Sequence, residues 1–293
     1  MEKMDLLSEL REGKKFVLDG ALGTNAQACG LPSGVLSEQW VLEKPEVIQS
    51  IHADFINAGA QIILTATFCA NPIHLAESPL AGKIAEINAR AVEIVRLAAG
   101  DRPVYVAGSL GPAGKLMEPF GPVSAEAFYA SYAEQAKYLT EAGADLLVLE
   151  TQYSIEEAAQ ALKGIRSVSN LPLVVSFSFD RGVRTMMGVK VPAFAETFTE
   201  LGADIIGINC GKGLDENTEC LKLARQATDS PIWFKPNAGK PEIDATGMTC
   251  YKTQPAELSA RVPEWLSLGA QLVGGCCGST AEHIQAIASA ITG

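Results

Sequence analysis

The sequence predicts a single-domain α/β fold, a closed (βα)₈ barrel (TIM barrel), from three observations. Short runs rich in Val, Ile and Leu recur eight times along the chain, at Phe16–Gly20, Gln61–Phe68, Val104–Leu110, Leu146–Thr151, Leu173–Phe179, Ile205–Cys210, Ile232–Asn237 and Leu272–Cys277. Runs without polar alternation suit parallel strands buried on both faces. Segments of helical periodicity separate them, among them Ala125–Glu141, Ile155–Ser169, Ala193–Leu201, Leu214–Thr228 and Ala256–Leu268, the alternation that builds βα units. Finally, Gly-Ala-(Asp/Gln) followed by two apolar residues recurs at Gly59, Gly143, Gly202 and Gly269. Each glycine stands where a helix ends in a left-handed turn, just ahead of the second, fourth, sixth and eighth runs. That regularity favours a closed barrel over an open doubly wound sheet. The 293 residues exceed a usual single domain, but barrels of about this size form one unit, and no Pro/Ser-rich linker divides residues 1–293.

Composition narrows the function classes. With 23 basic against 34 acidic residues the formal charge is −11. Such a surface repels phosphate backbones and anionic lipid, which argues against nucleic acid and membrane partners. Residues 1–16 carry charges throughout and no apolar core of a secretory signal. No stretch approaches the roughly 18 apolar residues of a membrane span. A cytoplasmic protein is expected, and seven cysteines in a reducing compartment point to metal or catalysis rather than disulfides.

The active site of a (βα)₈ barrel lies at the C-terminal ends of its strands, so the reactive side chains ending each run are the candidates. They are Asp19 on the first, Glu150 on the fourth, Cys210 on the sixth, Lys235 and Asn237 on the seventh, and Cys276 with Cys277 on the eighth. Three thiols on one rim suit zinc, which prefers tetrahedral coordination by soft donors; three protein ligands leave a fourth position for water or substrate. An adjacent cysteine pair alone is equally two small buried hydrophobes; Cys210 at another strand end is what makes the metal reading. Gly274, Gly275 and Gly278 let the backbone turn both cysteines toward one ion. Cys220 is read as core, and Cys69 as lining the mouth or packing. His52, His74 and His283 fall in helix or loop segments and are not read as ligands. Asp19 can also cap the turn that follows it. Ser279 with Glu282 is expected to form a capping box opening the last helix, whose N-terminus faces the cysteines and offers N–H groups to a carboxylate. Lys235 raises a rival reading, a Schiff-base lyase, which nothing else in the chain supports; Asp204 or Glu150 are its expected partners.

The motifs Asp19-Gly20-Ala21-Leu22-Gly23-Thr24, Leu149-Glu150-Thr151, Gly207-Ile208-Asn209-Cys210-Gly211, Pro236-Asn237-Ala238-Gly239 and Gly274-Gly275-Cys276-Cys277-Gly278 together resemble the homocysteine S-methyltransferase family. That family includes the homocysteine domain of cobalamin-dependent methionine synthase and the betaine-dependent enzyme. The resemblance runs from the first strand to the last. It implies zinc held by Cys210, Cys276 and Cys277, homocysteine as methyl acceptor, and Asp19 and Glu150 as carboxylates that help hold the amino acid. The segment Thr65–Asn71 resembles the methionine synthase branch, since the betaine branch has tyrosine where Cys69 stands, and the C-terminal extension of the betaine enzyme is not matched. The implied reaction gives methionine, with methylcobalamin on a separate corrinoid protein as donor, because no Asp-x-His corrinoid-binding spacing occurs here. S-methylmethionine or betaine are the alternative donors; such cations favour an aromatic cage, for which Phe68, Phe120 and Tyr153 are the mouth candidates. A non-catalytic zinc-holding component of a methyl-transfer assembly is the alternative of a different class.

Overall fold

Each of the eight apolar runs contributes a strand to one parallel sheet. The strands are β1 (Phe16–Val17), β2 (Ile62–Leu64), β3 (Tyr105–Leu110), β4 (Leu146–Gln152), β5 (Leu173–Phe177), β6 (Ile205–Cys210), β7 (Ile232–Pro236) and β10 (Ala270–Val273). A hairpin of β8 (Glu242–Ile243) and β9 (Thr249–Cys250) stands between the last two. The computed structural model describes residues 5–243 and 249–292. The sheet order is β1-β10-β7-β6-β5-β4-β3-β2, and a parallel bridge from Leu18 to Ile62 joins its two ends. The sheet therefore closes into the expected barrel. Gly59, Gly143, Gly202 and Gly269 all have φ between 86° and 103°, the left-handed turn their repeat predicts.

One helical expectation shifts. Ala125–Glu141 forms as read, but Ala256–Leu268 divides into Pro255–Ser259 and Val262–Ser267. Pro263 has no N–H to donate, so it is accommodated only in the first turn of a new helix. Among the described residues no helix is long and apolar enough to cross a membrane.

The period of two along each strand explains where the polar groups go. Tyr105 and Ala107, Leu146 and Val148, Val174, Ile205, Trp233 and Leu272 fill the barrel interior. The helix Leu6–Arg11 closes the interior from the N-terminal side with Leu6 and Leu10. Further toward the C-terminal end, the same inward rows carry Ser109, Glu150, Ser176, Asn209 and Lys235, and Cys276 follows just past β10. A larger apolar shell packs the outward residues, such as Leu147, Val175 and Ile206, against the helices. The fold thus places an apolar plug below and a polar layer above, at the C-terminal end.

His52, on the helix Pro45–Asn57, belongs to the outer shell. It is buried, neither ring nitrogen has a hydrogen-bond partner, and burial pushes its pKa down to about 4. The unfolded chain, with the ring near its ordinary 6.5, takes up the proton first. Stability is therefore intact above that value and is lost as the pH falls toward 4. Replacing His52 by leucine is expected to remove this acid lability, raising stability at pH 5 relative to that at pH 8 by about 2 kcal/mol over the parent protein. Urea unfolding at the two pH values measures it.

Candidate metal centre and substrate site

Cys210 ends β6 with φ of 57°, a left-handed conformation unusual for a residue with a side chain. Asn217 Nδ2 holds that turn by donating to the Cys210 carbonyl at 2.7 Å. Across the rim, the chain leaves β10 at Gly274. A Cβ there would stand 2.6 Å from the Leu18 Cβ and 2.8 Å from the Asp19 carbonyl, so only glycine lets the segment pass this close to the first strand. Ser279 Oγ donates to the Cys276 carbonyl at 2.7 Å, and Ala238 N–H to that of Cys277 at 2.9 Å.

These turns bring the three sulfurs together. Cys210 Sγ lies 2.9 Å from Cys276 Sγ and 3.9 Å from Cys277 Sγ, and all three fall within 4.8 Å of one another. Zinc–sulfur bonds of about 2.3 Å in a tetrahedron separate sulfurs by roughly 3.8 Å; the donor set fits a thiophilic dication in chemistry, the Cys210–Cys277 pair already has that spacing, and Cys210 and Cys276 would part by about 1 Å to reach it. Hydrogen bonds from Cys210 and Cys276 push the Cys277 thiol down to about 3. Cys210, donating to Cys276 and Cys277 and buried, is held well above an ordinary thiol. The cluster accommodates one negative charge and resists further ones, an imbalance that a bound cation reverses.

Glu150 is buried on β4, and Ser109 Oγ donates to its Oε1 at 2.6 Å. Burial raises its pKa to about 7, against the opposing pull of the Lys235 charge. Asp19 is buried just past β1, where its Oδ2 accepts from Leu64 N–H at 2.8 Å and its Oδ1 pairs with the Lys235 ammonium. Lys235 therefore pairs with neither expected partner: Asp204 is held by Arg166 at 2.6 Å. Burial works against the Lys235 charge, but Asp19 and Glu150 outweigh it and hold its pKa up.

Several site residues escape sequence reasoning. Asn209 Oδ1 accepts from Thr151 N–H at 2.9 Å and Ser176 Oγ at 2.6 Å, while its Nδ2 donates to Thr151 Oγ1 at 2.7 Å. It thereby holds Thr151, beside Glu150, at φ of 58°, a costly conformation for a β-branched residue. Tyr251, past the β8–β9 hairpin, packs its ring against Gly278 and hydrogen-bonds Cys277. Only the position of Asn209 next to Cys210 hinted at any of this. The capping expectation moves by one residue. Thr280 N–H donates to His283 Nδ1 at 3.2 Å, and His283 Nε2 meets the Thr253 carbonyl at 2.9 Å. His283 takes the place assigned to Glu282, and Ser279 bonds Cys276 instead. Cys220 is core as read, Cys69 is buried with its N–H on Glu38, and Phe120 is exposed.

A parallel barrel whose rim gathers three thiols beside buried carboxylates carries, at the end where barrel active sites lie, a donor set suited to a thiophilic metal. Residues 16–291 match the family profile described as homocysteine S-methyltransferase, and the chain belongs to that family. It is 31% identical to methionine synthase of Mycobacterium leprae and 30% identical to that of Mycobacterium tuberculosis, each match covering 98% of this chain. It spans about a quarter of the length of these relatives, 25% in each case. Among solved structures, the metallated homocysteine methyltransferase MmuM of Escherichia coli is similar with a TM-score of 0.82 at 26% identity, covering 97% of this chain and 99% of that one. A methyltransferase from Methanosarcina mazei, at 13% identity and a TM-score of 0.60, shares the fold.

Proposed function

We propose that the barrel methylates the thiol of homocysteine to give methionine, with zinc held by Cys210, Cys276 and Cys277. The observation that carries this reading is the meeting of three sulfurs from β6 and the segment after β10 within 4.8 Å, in a member of this family. What zinc supplies when bound is the deprotonation of a fourth, substrate sulfur, which at its free pKa of about 8.5 is only a few per cent thiolate at pH 7. The chain's own residues do the rest. Glu150 offers a buried carboxylate to the substrate ammonium, and Asp19 lies in the same polar layer. The apolar plug beneath keeps water from the underside, and Asn209 keeps the Glu150–Thr151 turn in place.

As donor we propose methylcobalamin carried by a separate corrinoid protein, which the methionine synthase relatives support, being about four times as long as the matched region. A small cationic donor, S-methylmethionine or betaine, is the second reading. Incubating zinc-loaded protein and homocysteine with each donor in turn separates them. Methionine formed with methylcobalamin is the expected result. Turnover with a small donor alone overturns the partner assignment, and silence with all three leaves the barrel as a non-catalytic zinc-holding component.

A further inference from the structure

We infer that the buried Asp19–Lys235 pair positions the two-cysteine segment and stays out of substrate recognition; this rests on the homocysteine reading above, which already gives the substrate ammonium to Glu150. The topology carries the first half. β10 lies between β1 and β7, and the pair joins the C-terminal ends of those two flanking strands. The segment Gly274–Cys276 hangs between the same two ends. Gly274 N–H donates to the Phe234 carbonyl at 3.1 Å, Gly275 N–H to Asp19 at 3.2 Å, and Cys276 N–H to Pro236 at 2.8 Å. Asp19 and the residues on both sides of Lys235 thus supply the backbone acceptors that fix where Cys276 stands. With Gly274 already packed on Leu18 and Asp19, any change in the spacing of the two flanking ends moves the sulfurs.

The second half is a matter of which oxygens are free. Asp19 has Oδ1 on Lys235 and Oδ2 on Leu64 N–H, and its charge is neutralised. A substrate ammonium reaching it would have to displace the buried Lys235 ammonium. Glu150 is also buried, but its described hydrogen bond comes from a neutral hydroxyl, Ser109, and among the described residues it forms no ion pair. A buried carboxylate without a bonded cation is the group that gains most from an incoming ammonium.

Two readouts on zinc-loaded protein test this. The first is calorimetric binding of homocysteine against 4-mercaptobutanoate, which keeps thiol and carboxylate but lacks the amine. The second is zinc retention in a chelator titration. The D19N/K235M variant, which neutralises the pair together, is expected to hold zinc at least about tenfold more weakly while keeping the preference for homocysteine within about threefold. E150Q is expected to do the reverse, keeping zinc and losing the preference at least tenfold. If D19N/K235M fails to fold, D19N alone still accepts from Leu64 and carries the recognition test. A loss of preference on neutralising Asp19 overturns the assignment of recognition to Glu150, and unchanged zinc retention in D19N/K235M overturns the positioning role. Absence of any preference in the unmodified protein would instead count against the homocysteine reading itself.

Discussion

Replacing Cys210 by alanine is expected to abolish stoichiometric zinc binding and lower methyl transfer at least about a thousandfold, while the protein remains folded. The first loss follows from coordination: two adjacent sulfurs on one segment do not complete a tetrahedral site for which the third donor comes from another strand. The second compounds two effects. Without the metal the substrate thiol falls back to a few per cent thiolate, and it also loses the fixed geometry that makes the reaction effectively unimolecular. The fold persists because neither apolar cluster contains Cys210, Cys276 or Cys277; an ion held by them would sit on top of a finished barrel. A finer test uses the left-handed backbone at φ 57°. Alanine is as strained there as cysteine, whereas glycine is not, so metal-free Cys210→Gly is expected to be about 1 kcal/mol more stable than metal-free Cys210→Ala. Metal analysis and thermal melts of the two variants read both outcomes, and a Cys210→Ala protein that keeps its zinc would refute the ligand assignment.

How far the site could be read from sequence follows from what each residue depends on. Cys210, Cys276, Cys277 and Glu150 could be found because each ends an apolar run, and in a parallel barrel every such end points to the same rim. The inward row of each strand then follows from its period of two, which is why Ser109, Ser176 and Asn209 join the same layer. Lys235 could be placed on that rim but not paired. Its partner Asp19 is 216 positions away, and the pairing depends on the last strand lying between the first and the seventh. Asp204, one of its two expected partners, precedes β6 and lies at the opposite end of the barrel, where Arg166 takes it. Thr151 and Cys210 carry no signal of their left-handed backbone, since propensity argues against it for both; Asn209 enforces it at Thr151 through contacts that exist only after closure. The shift from Glu282 to His283 at the last helix is of the same kind: local spacing suggested one cap, and a tertiary contact to Thr253 selected another.

The Glu150→Gln variant is expected to lose about a hundredfold in kcat/KM for homocysteine and to become more stable, and the two effects have one cause. A carboxylate buried with a neutral hydroxyl as its hydrogen-bond donor is held up to about 7 from its ordinary 4.5. The folded protein therefore keeps a proton that the unfolded chain has already released, so stability falls as the pH rises from 4.5 to 7. Above that range the ionised group costs on the order of 2 to 3 kcal/mol. Glutamine removes the charge, so at pH 8 the variant is expected to unfold at higher denaturant by up to that amount. The sign is opposite to that of His52, which weakens the fold on the acid side. The same charge is what the substrate ammonium recovers. Truncating one partner of a buried charge pair costs about 3 kcal/mol, hence the hundredfold loss. Binding requires the ionised form, so for the parent protein kcat/KM should rise about tenfold per pH unit up to roughly pH 7 and then level. In Glu150→Gln that acid limb should disappear. An unchanged acid limb in the variant would assign the titration to another group and remove Glu150 from the substrate site.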